Sequence, residues 1–196
     1  MNKQFRFVDY PSISFSQDAI LRMITELHCP AGIEADVTYG NGCFWDGNKP
    51  RYRSDLKATG NIIADCCFLP YASGRIRSLI FDPPFLHKSG DGSMIKERYG
   101  DFPSITLLWE FYRKSVQEFK RVMAPDGIVI IKCQDTVSSG KNWFSHVEII
   151  NYAKEAGLIL KDLFILLAKS RIPQWNRKTY QHARKYHSYF LVFKNG

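Results

Sequence analysis

No acidic residue follows Asp162 in this 196-residue chain, although the last 34 residues hold Lys169, Arg171, Arg177, Lys178, Arg184, Lys185 and Lys194. Those seven cations account for most of the net +8, so the first 162 residues are left with +1. A nearly neutral body with a basic, acid-free end is the asymmetry expected of a polyanion partner, above all nucleic acid. Solubility alone would not require aromatics among the charges, and Trp175, Tyr180, Tyr186 and Tyr189 are interleaved with them. Apolar runs near the roughly 20 residues needed to span a bilayer are also missing. So is the apolar core of a signal peptide behind Met1-Asn2-Lys3-Gln4-Phe5-Arg6, and the expected location is the cytoplasm. The five cysteines (Cys29, Cys43, Cys66, Cys67, Cys133) are odd in number and contain no C-x-x-C spacing, so neither a disulfide framework nor a structural zinc site is expected. Internal repeats, low-complexity tracts and linkers are lacking, and residues 1–196 read as one domain.

What is present is an alternation of strand-like and helix-like stretches. Residues 1–15 read as an extended lead-in. Ser16 caps a predicted helix over 17–28, where Ala19, Ile20, Met23, Ile24 and Leu27 recur at helical spacing. A first strand follows and ends in a glycine turn, Asp36-Val37-Thr38-Tyr39-Gly40-Asn41-Gly42. Further strands are predicted at 51–55, 61–65, 78–81, 128–132, 158–167 and 189–194, with helices over 103–123 and 144–156. The segment 86–102 has three glycines and no period, and reads as a loop or lid. Ala124-Pro125-Asp126-Gly127 reads as a break between helix and strand. This pattern predicts an α/β, Rossmann-like sheet of seven mostly parallel strands covered by helices on both faces, with the last strand antiparallel.

The chemistry concentrates at strand ends. The fourth strand runs straight into Asp82-Pro83-Pro84-Phe85. Two consecutive prolines lack N–H donors and fix φ, which ends the strand in a stiff corner. The carboxyl end of a strand is where open α/β sheets bind ligands. An acid, a carbonyl and a flat ring there suit a planar group bearing an NH2, such as a nucleobase. Asp36, Asp55 and Asp65 close the three preceding strands, and Gly40 and Gly42 let backbone approach a ligand. A dinucleotide fingerprint would place a third glycine at position 45, where this chain has Trp45, which argues against NAD.

Taken in order, Asp36-x-x-x-Gly40-x-Gly42, the acids Asp55 and Asp65, and Asp82-Pro83-Pro84-Phe85 resemble the class I S-adenosylmethionine-dependent methyltransferases. More narrowly they resemble the amino-methyltransferases acting on adenine N6 or cytosine N4 in DNA. The tail from Arg184 to Lys194 is similar to the closing strand of small bacterial and phage members. The resemblance covers nearly the whole chain. It implies S-adenosylmethionine as cofactor, held by the Asp36, Thr38, Tyr39, Gly40 and Gly42 turn, with Asp36 toward the ammonium, Asp55 toward the ribose, and Asp65 and Cys66 toward the adenine. Ser14, Phe15 and Ser16 fall where related enzymes hold the methionine end. Asp82 and the Pro83 carbonyl would accept from the target amine, and Phe85 would stack on a base turned out of its helix. Arg171, Trp175, Arg177, Lys178, Arg184 and Lys185 are the expected nucleic-acid contacts. His87 is weakly placed as a base, and Lys132 reads either as a target contact or as a strand-end residue. Carbon-5 cytosine methylation needs a thiolate, usually after proline; this chain has Cys29-Pro30 and no Pro-Cys.

DNA adenine N6 stands first among the substrates. The same corner also serves amines of RNA, and a silent partner chain is a third reading, opposed by the intact glycine turn and Asp82–Phe85 corner. Only 86–102 and 168–188 are available for target recognition, so specificity is loose, or a partner protein supplies it, or the substrate is RNA.

Overall fold

A computed structural model describes residues 9–45, 47–85, 102–138, 140–170 and 182–196. Of the expected loop over 86–102 all but Phe102, and of the basic stretch 168–188 residues 171–181, lie outside the described residues, and with them His87, Arg171, Trp175, Arg177, Lys178 and Tyr180.

The main sheet has eight strands. In chain order these are β1 (Ile13–Ser14), β2 (Ala35–Asp36), β3 (Tyr52–Asp55), β4 (Ile62–Ile63), β5 (Ile76–Phe81), β6 (Met123–Cys133), β9 (Leu158–Leu167) and β10 (His187–Asn195). A separate hairpin is formed by β7 (Thr136–Ser138) and β8 (Lys141–Trp143). The helices are α1 (Gln17–His28), α2 (Ile105–Val122) and α3 (Ser145–Glu155). Across the sheet the order is β1-β9-β10-β6-β5-β2-β3-β4. The pairs β2–β3, β2–β5, β3–β4, β5–β6 and β1–β9 are parallel, and β10 is antiparallel to both neighbours. The expected antiparallel last strand is therefore present.

All seven expected strands form, and two details are corrected. The lead-in is not merely extended: Ile13 and Ser14 pair in parallel with Ile165 and Leu166, adding an eighth strand at the sheet edge. Ala124–Gly127 is not a break but part of β6, with Asp126 at φ 62°. The Asn195 amide explains this, because it donates to the carbonyls of Met123 and Ala124 and holds the irregular turn in the sheet. The hairpin had no alternating pattern to announce it.

Helix α1 starts where its cap dictates. The Ser16 hydroxyl accepts from Ala19 N at 3.2 Å, a contact worth about 1 kcal/mol at such positions. Its Ile20, Leu21 and Ile24 pack with Ile80, Ile130, Phe164 and Phe190 on one face of the sheet. Helices α2 and α3 cover the other face through Leu108, Tyr112, Phe119 and Ile149, against Phe81, Ile131, Cys133 and Leu191. Both faces are thus buried, which is why β5 and β6 read as continuous apolar runs rather than as an alternation.

Candidate active site

The strand order sets the site. After β2 the chain builds β3 and β4 outward, then returns to place β5 on the other side of β2. This reversal is the switch point of an open α/β sheet, where a crevice opens at the carboxyl ends. Because β5, β2, β3 and β4 are adjacent, Asp82, Asp36, Asp55 and Asp65 line one edge of the sheet.

Three of these acids organise the loops that follow them. Asp36 is buried and accepts from Thr38 N at 3.0 Å and from the Trp45 indole N–H at 2.7 Å. Burial pushes its carboxyl up to about 6, against the lowering effect of those two bonds. Trp45, which displaces the third glycine of a dinucleotide turn, therefore locks the first acid of the site. Asp55 accepts from Gly40 N at 2.9 Å through one oxygen and from Lys57 N at 2.9 Å through the other. Asp65 accepts from Cys67 N at 2.8 Å. Each carboxylate oxygen has a second lone pair, so these bonds leave acceptor capacity for a ligand.

The glycine turn is held open from inside. Gly40 and Gly42 have φ of 51° and 70°. A Cβ on Gly40 would meet nothing nearer than Thr38 O at 3.9 Å, whereas one on Gly42 would lie 2.6 Å from the Tyr39 hydroxyl oxygen. The buried Tyr39 ring is braced by the Arg53 guanidinium, 5.7 Å from its centroid. Gly42 is thus required by space as well as by φ, and Gly40 by φ alone.

The Asp82 corner differs from the other acids. Thr38 Oγ1 accepts from Asp82 N at 2.7 Å, which ties the corner to the glycine turn. Asp82 Oδ2 accepts from Lys132 Nζ at 3.1 Å. Asp82 Oδ1 is buried and has no hydrogen-bond partner among the described residues. Burial raises the Asp82 carboxyl, and the Lys132 ammonium works against that rise. Lys132 Nζ also donates to Gln17 Oε1 at 3.0 Å and lies 4.7 Å from the Phe44 centroid and 5.8 Å from that of Phe190. Pro83 is buried, and the Pro84 carbonyl accepts from the Tyr112 hydroxyl at 3.2 Å. Phe85 is half-buried. Lys132 thus proves to be the partner of the corner acid. Gln17, Phe44 and Tyr112 are site residues that sequence reading missed, since each comes from a different segment and none belongs to a motif.

Ser14 and Ser16 are engaged locally: Ser14 Oγ accepts from Ser16 N, and Ser16 caps α1, while Phe15 is 59% exposed. At the end of β4, one ligand atom each from Asp65, Cys66 and Cys67 lies within 4.8 Å of the others, the group among the described residues that could hold a metal ion. Both thiols already lie against Ser115 Oγ, at 3.6 and 3.4 Å. The hydrogen bond between them raises Cys66 and lowers Cys67. A separate hollow lined by Glu34, Tyr52, Tyr71 and Arg75 opens at the opposite, amino end of the strands, away from the acids. Of the expected nucleic-acid contacts, Arg184 and Lys185 are described. Arg184 lies 5.5 Å over the Tyr186 ring and Lys185 lies 5.6 Å over that of Phe144.

No family model matches the chain, and none of the curated proteins does either. Solved structures do. A geranyl diphosphate methyltransferase superposes with a TM-score of 0.56 at 11% identity, covering 91% of this chain and 77% of that one. An S-adenosylmethionine-dependent methyltransferase from Thermotoga maritima gives 0.54 at 12% identity, covering 93% and 90%. The PvuII DNA methyltransferase, cytosine-N4-specific, gives 0.46 at 17% identity over 65% of this chain and 45% of that one. The chain spans about half the length of the DNA methylases it matches. With its switch-point crevice, glycine turn and antiparallel last strand, the chain shares its fold with these methyltransferase structures. Among the described residues no helix is long and apolar enough to cross a membrane.

Proposed function

We propose that the protein transfers a methyl group from S-adenosylmethionine to an exocyclic amine of a nucleobase, with adenine N6 in DNA as the first candidate. The observation that carries this reading is the Asp82 carboxylate. One oxygen is held by Lys132, and the other is a buried acceptor with no donor among the described residues. A buried acceptor without a partner costs about 1–3 kcal/mol, and such a cost at a crevice points to a ligand donor that completes it. An aromatic NH2 supplies such a donor.

The cofactor, when bound, supplies a methyl already activated on a sulfonium. The chain's part is positioning. The Gly40–Gly42 turn, with Asp36, Asp55 and Asp65 on neighbouring strands, would hold the cofactor, with Thr38, Tyr39 and Cys66 beside them. Thr38 fixes the distance between that turn and the Asp82 corner. Asp82 Oδ1 and the Pro83 carbonyl would each accept one N–H of the amine. Two acceptors draw the nitrogen toward pyramidal geometry, free its lone pair from the ring, and stabilise the positive charge that grows as the N–C bond forms and the S–C bond breaks. The extra proton leaves the methylated amine to water. The Lys132 ammonium favours the ionised form of Asp82 against the burial that disfavours it, and the ionised carboxylate is the stronger acceptor for an NH2. Phe85 offers a face for the base, which must leave its duplex to arrive.

RNA is the second reading, because the same pair of acceptors would take an adenine N6 or guanine N2 amine of RNA in the same way. Incubation with tritiated S-adenosylmethionine and duplex DNA, tRNA or rRNA, followed by nucleoside analysis, separates the two. Label in N6-methyladenosine from RNA alone would replace the DNA reading. Absence of label from every nucleic acid, with the cofactor bound, would overturn the proposal and leave a silent partner chain.

A further inference from the structure

Helix α3 begins in a way that its own stability does not explain. Phe144 occupies the N-cap, makes no side-chain cap and is 48% exposed, while Asp135 Oδ1 accepts from His146 N at 3.3 Å in its place. Serine, aspartate or asparagine there would add about 1 kcal/mol. Phe144 neither caps the helix nor belongs to either buried cluster, so its exposed ring is open to a ligand.

The ring is also rigidly supported. Its edge meets the His146 ring at 6.3 Å and 89°. His146 stacks on Tyr189 at 4.4 Å and is fixed by Asp135 through Nδ1 at 2.8 Å. The Tyr189 hydroxyl in turn meets His187 Nε2 at 2.8 Å and Asp135 Oδ2 at 3.4 Å. Tyr189 pairs with Cys133 across the sheet, two residues beyond Ile131, the partner of Phe81. The row of rings thus runs from the surface inward to the level of the Asp82 corner.

Cations lie over the exposed rings. Lys185 Nζ is 5.6 Å from the Phe144 centroid, and the next residue, Tyr186, is 42% exposed with Arg184 over it at 5.5 Å. The nearby acids are turned elsewhere: Asp135 is buried against His146 and Tyr189, and Glu148 bonds to Tyr152. Exposed aromatic faces with basic groups over them, and no unengaged carboxylate beside them among the described residues, match the chemistry of an unpaired strand, whose bases stack on rings while its phosphates meet cations. We infer that Phe144 and Tyr186, with Lys185 and Arg184, form a stacking site for unpaired nucleotides of a nucleic-acid strand beside the Asp82 corner. This rests on the nucleic-acid reading and names where, and in what form, the strand is held.

Affinity for a fluorescent 12-nucleotide oligothymidylate, measured on the full chain at four salt concentrations, tests it. Phe144→Ala is expected to weaken binding about 5- to 100-fold, the worth of one base–aromatic stack, with an unchanged salt slope. Phe144→Trp restores or exceeds the original affinity. Lys185→Ala lowers the log–log slope by about 0.7, the single-strand value for one phosphate contact. Affinity unmoved by Phe144→Ala, or weakened equally by Phe144→Ala and Phe144→Trp, overturns the stacking site. If nucleic acid is still methylated in that case, the proposed function stands without it. If the unaltered chain binds no oligothymidylate at any salt, the stacking site falls, and the proposed function is then decided separately by labelling of duplex DNA and RNA.

Discussion

One methyl group added at Gly42 tests how the glycine turn is built. The backbone there has φ 70°, and the new Cβ would lie 2.6 Å from the Tyr39 hydroxyl oxygen and 2.8 Å from its Cζ. Left-handed backbone costs an L-residue about 1–2 kcal/mol, and displacing a packed ring adds roughly 1–3 kcal/mol more. Gly42→Ala should therefore destabilise by about 2–5 kcal/mol on the same principles. At about 2–4 °C per kcal/mol for a chain this long, the melting temperature should fall by roughly 4–20 °C. Gly40→Ala shares the backbone term, but its Cβ meets nothing within 3.9 Å, so it should lose only about 1–2 kcal/mol. Tyr39→Leu removes the atoms that the Cβ would strike. In urea unfolding, the double variant Tyr39→Leu/Gly42→Ala should be more stable than the two single losses predict, by roughly the 1–3 kcal/mol steric term. An additive cycle, or Gly40→Ala costing as much as Gly42→Ala, would refute the account of a turn braced by Tyr39.

The other predictions concern the acids. Asp82→Ala should lower turnover on the order of 10²-fold, as loss of one preorganised partner does elsewhere, while calorimetric cofactor affinity moves little; turnover within threefold would make the corner structural. Lys132→Met removes the cation that opposes the burial-driven rise of the Asp82 carboxyl, so the acid limb of the pH–rate profile should move to higher pH; an unshifted limb would show that Asp82 ionisation is not required. For Asp36 the folded carboxyl, near 6, binds its proton more tightly than the unfolded one near 3.8. Its contribution is therefore greatest below about pH 4 and is lost as pH rises through about 6, on the order of 3 kcal/mol in all. Asp36→Asn should remove that slope from urea-unfolding stability between pH 4 and 7, and parallel profiles for the two proteins would contradict it.

The elements that sequence reading places best are those whose cause is local. Ser16 caps α1, the paired prolines end β5, and buried apolar runs mark β5 and β6, because each signal acts over a few neighbouring residues. The strand-end acids were legible for the same reason, although not what they do: Asp36, Asp55 and Asp65 organise the turns beside them. Only tertiary structure joins residues far apart in the chain. Lys132 meets Asp82 and Gln17, three segments brought together because β5 and β6 are parallel neighbours and α1 crosses their face. Asn195 keeps Ala124–Gly127 in a strand that its own residues would break. Phe144 meets the edge of His146, which stacks on Tyr189, because α3 follows the hairpin and packs beside β10. Propensity and spacing determine which elements form and where the acids stand. Asp36, Asp55 and Asp65 each meet a backbone N–H two residues on, a local effect, whereas Asp82 is met by Lys132 of the neighbouring strand at one oxygen and keeps the other buried and unpaired among the described residues, which packing alone decides.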